Sequence, residues 1–355
     1  MTRAYIIQRY PTSHEPDSFD DIINDIKKTN PDKIIVMSMG EINVEYIFQV
    51  LFKNIHAWLI TNNKYLYVLW PGPDEEIYPH IMGVSNLGSA YGNIACVKSR
   101  ARELRNIDWS QSDKLFVSYH HNCKYERKVL VDMFAKHDLL KDGIVTFAYP
   151  ERCPEYQWKY HDGSKLTDEP DYVLNSKPEF SAAMLPKNYM RGFIDIVAET
   201  DSVNGRFVPT EKNAKPWAAL KPYLVLSSMH YHKWLYEEYG IEMYHELFDY
   251  SFDNLPKVED RINGIVDNLL RIRNELNNPN YKTNIIKQIE SKLFYNRTMA
   301  MNVLETLNKK GKIIPDCLKF IIEEDNYELL GETHNHQGNL HFMTDKNWLL
   351  NPIVP

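Results

Sequence analysis

GFIDIVAETDSVNGRFVPTEKNAKPWAALKPYLVLSS, residues 192–228, contains an apolar run, a polar break, a helix signal and a second apolar run. Phe193 to Thr200 reads as a buried strand, so Glu199 and Thr200 fall at its carboxyl end, where open α/β sheets hold their ligands. Thr210 is a good N-cap for a helix reading TEKNAKPWAAL, which puts Glu211 and Lys212 in the first turn. PYLVLSS, residues 222–228, is then the next strand. Strand, helix and strand in that order make up the unit of a parallel sheet covered by helices.

The same rhythm opens the chain. AYIIQRY (4–10) reads as a strand, SFDDIINDIKK (18–28) as a helix with Ser18 as its N-cap, and DKIIVMSMG (32–40) as a strand. VEYIFQVLF (44–52) reads as a helix, HAWLITN (56–62) and YLYVLW (65–70) as strands, and PGPDEEIYPHIMG (71–83) as a loop. KLFVSYH (114–120) and GIVTFAY (143–149) are strands on either side of a helix, YERKVLVDMFAKHDLL (125–140). Residues 150–190 hold Pro150, Pro154, Pro170, Pro178 and Pro186 among many polar residues and read as an irregular connection. After residue 228 come helices at HYHKWLYEEYG (230–240), KVEDRINGIVDNLLRIRNEL (257–276) and NIIKQIESKLFYNRTMAMNVLETLNKK (284–310). The expected organisation is two α/β domains: 1–150, a linker over 151–190, 191–310, and a tail over 311–355 that packs back on the core. A ligand is expected in the cleft at the strand ends.

With 355 residues, the chain is long enough for two domains. Hydrophobic residues at 43% and aromatic residues at 12% mark a folded globular protein. A formal charge of −7 provides no global basic field to draw it onto nucleic acid or an anionic membrane. Cys96, Cys123, Cys153 and Cys317 form no C-x-x-C pair, which predicts reduced thiols rather than a disulfide framework. No apolar run approaches the ~20 residues of a membrane span. The expectation is a soluble, cytoplasmic protein of unspecified oligomeric state.

A carboxylate in the first turn of a helix suits the helix dipole, whereas Lys212 there is favoured only beside an anion. Free amides at a helix start, together with a lysine, form a cradle for phosphate. Glu211, one residue away, is placed to accept hydrogen bonds from a ribose diol. These groups describe a nucleoside diphosphate. The alternative reading is a first-turn acid favoured by the dipole and a solvated lysine.

The segment 193–228 resembles the donor-binding signature of the α-1,3-fucosyltransferase family, in which an F-E-N strand end precedes an aromatic-V-T-E-K helix start. Ile196-Val197-Ala198-Glu199-Thr200 stands for the first part and Phe207-Val208-Pro209-Thr210-Glu211-Lys212 for the second. Thr200 replaces the family's Asn, and Pro209 is inserted before Thr210. KLFVSYHHNCKYERKVLVDMFAKHDLLKDGIVTFAYPE (114–151) is similar to the strand-turn-helix of phage and bacterial glycosyltransferase-like proteins, with Asn122, Lys124 and Arg127 facing the cleft. YGIEMYHELFDYSFDNLPKVEDRINGIVDNLLRI (239–272) is similar to the segment such proteins carry after the T-E-K helix.

The resemblance implies a GT-B fold, in which two Rossmann-like domains face each other with long carboxy-terminal helices. It implies a metal-independent transferase moving a sugar from a nucleotide-sugar donor, a GDP-sugar by family likeness, with no further cofactor. Lys212 is then the first candidate to neutralise the diphosphate, followed by Arg127 and Arg206, with Glu199, Thr200, Thr210 and Glu211 completing the donor site. An inverting transfer needs a carboxylate to take the acceptor's proton. Glu41 is the first candidate; Glu75, with Asp74 and Glu76 beside it, is the reserve. The acceptor is a glycan, or, in a viral setting, a hydroxymethylated base in DNA. A third reading is a nucleotide-binding protein without chemistry.

Overall fold

Strands whose successive residues point to opposite, largely buried faces build both sheets of the computed structural model, which describes residues 1–7, 19–37, 51–70, 75–85, 109, 112–120, 124–147, 188–199, 207, 209–303, 316–324 and 326–331. The chain divides into two units, one comprising Met1–Ser89 with Asn308–Pro355 and the other Ala90–Leu307. The division falls after Ser89 and not near residue 150, because strands from 114–147 pair in one sheet with strands from 192–226.

The first unit carries β1 (Thr2–Ile7), β2 (Lys33–Met37), β3 (Leu66–Trp70), β4 (Glu75–Tyr78), β5 (Ile81–Ser85) and β10 (Tyr327–Gly331). Their order is β10-β1-β2-β3-β5-β4, parallel throughout except for β4, which runs antiparallel to β5 at the edge. Period-two alternation splits β1: Tyr5 and Ile7 face α1 (Asp20–Thr29) and α2 (Lys53–Thr61), while Ala4 and Ile6 face Leu318, Phe320 and Ile321. The carboxy-terminal segment thus supplies both an edge strand and the cover of one face.

Three local readings change. HAWLITN is not a strand, because it lies largely in α2: Ile55 and Leu59, one turn apart, are buried, whereas Ile60 is exposed. PGPDEEIYPHIMG is not a loop throughout, since it contains the hairpin of β4 and β5. His80 turns that hairpin with a φ of 68°, and its N–H donates to Glu76 Oε1 at 3.1 Å. Helix α1 begins at Asp20 with Phe19 in the N-cap position; Ser18 lies outside the described residues. The dipole is met instead by Asp20 and Asp21 in the first turn and by Lys27 and Lys28 in the last. Of VEYIFQVLF, only Leu51 and Phe52 are described, as a helical turn leading into α2.

The second unit holds β6 (Lys114–His120), β7 (Gly143–Phe147), β8 (Gly192–Ala198) and β9 (Tyr223–Leu226), all parallel, in the order β7-β6-β8-β9. Helix α3 (Tyr125–Lys136) joins β6 to β7, and α4 (Glu211–Ala218) precedes β9. Next in the chain come α5 (Tyr231–Tyr239), α6 (Val258–Glu275) and α7 (Tyr281–Met301); α6 packs on α3, and α7 on α4. All seven residues of β8 are buried, as expected for a central strand covered on both faces. A Cβ on Gly192 would lie 2.8 Å from the Phe116 carbonyl carbon, so glycine lets β8 begin hard against β6. Both units are parallel α/β sheets compatible with Rossmann-like domains.

Candidate functional site

From β6 the chain moves outward to β7, and it then returns to lay β8 and β9 on the opposite side of β6. Two neighbouring parallel strands whose connections diverge open a crevice at their carboxyl ends, and in open α/β sheets that switch point holds the ligand. Here it lies between the end of β6 at His120 and the end of β8 at Ala198 and Glu199.

Side chains tie the two strand ends together. Ser118 Oγ donates to the Ile196 carbonyl at 3.0 Å, leaving His120 Nε2, at 3.1 Å, to donate to Ser118. Burial, with the Arg127 charge adding to it, pushes His120 down to about 3, so the ring is neutral at physiological pH. Arg127 is only 1% exposed, and its Nη2 donates to the Ala198 and Glu199 carbonyls at 3.2 and 3.3 Å. Its guanidinium is built into the wall of the switch point and braces the end of β8. Lys124 occupies the N-cap position of α3 with extended backbone and is partly buried.

Glu199 is 1% exposed and joins β8 to α4. Its Oε1 accepts from the Thr210 N–H at 3.0 Å and from Asn213 Nδ2, and its Oε2 accepts from Thr210 Oγ1 at 2.6 Å. Thr210 in turn caps the helix, accepting from the Lys212 N–H at 3.3 Å. In a local capping box, a glutamate at the third helical position would return to the N-cap N–H. Here that position is Asn213, and a carboxylate from the neighbouring strand takes over the role. Pro216 has no N–H to give the Lys212 carbonyl, consistent with a short helix of 8 residues.

Lys212 is partly buried and bends back so that Nζ donates to Thr210 Oγ1 at 3.2 Å, over the first turn of α4. Ahead of that turn, Phe207 stacks on Trp234 of α5, with ring centroids 5.3 Å apart and planes 15° from parallel. Glu211 begins α4, but its side chain is outside the described residues, as are Asn122, Thr200 and Arg206. Glu41 and Asp74 are likewise outside them. Glu75 opens the edge strand β4 and is described in its backbone alone, and Glu76 is exposed.

The start of α5 completes the rim. Ser227 and Ser228, buried at the end of β9, precede His230, and the buried His232–Asp253 pair lies behind them. Arg261 holds this corner, donating from Nε to the Ser227 carbonyl at 3.0 Å and from Nη1 to the Leu255 carbonyl at 2.7 Å. Elsewhere on this unit, an open groove of about 710 Å³ is lined by Lys233, His245, Asp249, Tyr250 and Arg271, with no residue of the α4 start among its walls. The switch point, not this groove, is taken as the site, because strand ends, a capped helix start and a lysine meet there.

Sequence reasoning overlooked Asn213, Tyr231 and the His232–Asp253 pair. The spacing Thr210-x-x-Asn213 was the available signal for Asn213; nothing local marks the others, whose partners lie 18–21 residues away. Glu199→Gln tests the strand-to-helix tie. Its oxygen can still accept from the Thr210 N–H and Asn213, but its NH2 then faces a Thr210 hydroxyl that already accepts from Lys212, and the charge-assisted bonds become neutral; we expect unfolding stability to fall by about 1–2 kcal/mol, measured in urea as a lower midpoint at unchanged slope. An unchanged midpoint would show that the carboxylate bonds carry no net stability.

Comparison with models of known families, with characterised proteins and with solved structures finds no match to this chain. No described helix is long and apolar enough to cross a membrane. Among the described residues, no three His, Cys, Asp or Glu side chains gather as a metal ion would require. Cys317 is buried and in no disulfide among the described residues, and the other three cysteines are outside the described residues.

Proposed function

We propose that this chain is a glycosyltransferase that moves a sugar from a nucleoside diphosphate donor, a GDP-sugar by resemblance, to a hydroxyl of a glycan acceptor. The observation that carries this reading is Lys212 folded over the capped first turn of α4, beside the end of the central strand β8. An ammonium group beside a helix start at a strand's carboxyl end is suited to a pyrophosphate.

In the proposed reaction, the acceptor oxygen forms its bond to the anomeric carbon as the bond to the diphosphate oxygen breaks. The electron pair leaves on the diphosphate, where Lys212 stabilises the charge. The acceptor's proton passes to a carboxylate, with Glu41 and Glu75 as candidates. Burying Glu199 and Arg127 behind the turn fixes Thr210, and through it the first turn and the Lys212 ammonium. A GT-B arrangement of the two units belongs to this proposal.

Lys212→Ala is the direct test. GDP affinity by isothermal titration is expected to fall by about 10- to 100-fold, the loss of one charge-assisted contact, while EDTA leaves it unchanged. Equal affinity in the variant would refute the phosphate assignment.

A further inference from the structure

At the start of α5 the proposed donor site has a side chain with no part yet in binding. His230 holds the N-cap position with φ 68° and ψ 18°, a left-handed conformation that non-glycine residues adopt at a cost. Its N–H donates to the Asp253 carbonyl at 2.6 Å, and its carbonyl accepts from the Trp234 N–H at 2.9 Å, so the conformation is pinned from both sides. The ring's Nδ1 is buried and has no hydrogen-bond partner.

The adjacent helix start shows the same feature. Asn213, fully buried, spends its amide hydrogens on Glu199 and, at 3.0 Å, on the Tyr231 hydroxyl, and its Oδ1 is left without a partner. Tyr231 directly follows His230, so the two unpartnered atoms belong to a chain neighbour and a hydrogen-bond partner of one residue, in the segments that follow β8 and β9. Buried polar atoms are nearly always paired, and an open one in a native structure calls for a reason. An amide oxygen can only accept, while an imidazole nitrogen accepts or donates according to its tautomer. A hydroxyl group satisfies both; a phosphate oxygen does not satisfy the amide.

We propose that His230 and Asn213 form a hydroxyl-reading subsite, in which the His230 ring and Asn213 Oδ1 bond hydroxyls of the donor's ribose or of its transferred sugar. This rests on the glycosyltransferase reading, with Lys212 holding the anionic part of the same ligand.

The test titrates wild type, His230→Gly and Lys212→Ala with GDP, 2′-deoxy-GDP and GDP-mannose, and with the corresponding uridine compounds. Glycine adopts a φ of 68° freely, so His230→Gly is expected to melt within about 3 °C of wild type. Its affinity for the hydroxyl-bearing ligand is expected to fall about tenfold, the worth of one ligand hydrogen bond. Wild type's preference for that ligand should shrink to within about twofold in the variant. A lost preference for GDP over its deoxy analogue assigns the ribose, and a lost preference for the nucleotide-sugar over GDP assigns the sugar. If His230→Gly does not fold, His230→Asn, a residue type tolerant of the left-handed region, serves for the same comparison. Retention of every wild-type preference, with Lys212→Ala still weakening GDP, overturns this subsite alone. If wild type binds no nucleoside diphosphate, both the subsite and the glycosyltransferase reading fall.

Discussion

Lys221→Met is expected to cost the second unit about 3–5 kcal/mol at neutral pH, because it strands a buried carboxylate. Lys221 and Asp195 are 3% and 4% exposed, and Tyr189 lies between them, fully buried. Lys221 Nζ donates to the Tyr189 carbonyl and sits 4.1 Å from the centre of its ring, while the Tyr189 hydroxyl donates to Asp195. Burial pushes the Asp195 carboxyl up to about 6, against the opposing pull of Lys221 and of the Tyr189 bond. Burial likewise pushes Lys221 down to about 7, against the pull of Asp195.

Removing the ammonium group takes away the larger force holding Asp195 ionised, so its folded pKa climbs further above the unfolded value. In that case the folded state binds more protons than the unfolded one, and stability falls as pH rises from about 4 through the folded pKa. The Lys221→Met defect should therefore be largest at pH 8 and shrink at pH 5. Adding Asp195→Asn should restore most of the loss, since replacing both charges of a buried pair is far milder than replacing one. Amide hydrogen exchange along β8 and β9 would show this, and equal protection in wild type and Lys221→Met at pH 8 would contradict it.

His232→Ala is expected to cost about 3–4 kcal/mol, from an orphaned N–H, a weakened carboxylate shell and a cavity. In the described sheet β9 has a strand neighbour on only one side. On the open side the Val225 N–H donates at 3.1 Å to His232 Nε2, and His232 Nδ1 donates at 2.9 Å to Asp253 Oδ1. The ring substitutes for a missing strand, and its tautomer is set by accepting on one nitrogen and donating from the other. Burial acts to raise the Asp253 pKa, but the His232 contacts and the Lys233 N–H outweigh it and hold the carboxyl below the usual carboxylate range. Lys233→Ala, which removes an exposed side chain from the same helix, should change stability by less than about 0.5 kcal/mol. Similar losses in the two variants, read from urea midpoints, would rule out the edge-capping role.

The parallel α/β character was legible because burial alone dictates it. A strand covered on both faces must be apolar along its length, as residues 193–198 are, and Thr210 before Glu211 and Lys212 marks a helix start through its own hydroxyl. Where the signal was a short apolar run, it failed: HAWLIT satisfies both periods, and only packing of Ile55 and Leu59 against the sheet makes it helical. The unit boundary was hidden for another reason. Pairing of β6 with β8 joins residues more than seventy positions apart, and no local pattern records which strand lies beside which.

The candidate site divides along the same line. Residue order by itself placed a capped helix start and an ammonium group at the start of α4, since capping and the helix dipole act within one turn. Only the folded chain decided that Glu199 and Arg127 support that turn from inside, that His232 closes the edge of β9, and that Asn213 and His230 keep open hydrogen-bonding atoms. Those outcomes depend on which groups lose water together, and desolvation is a property of the packed sheet, not of neighbours in sequence.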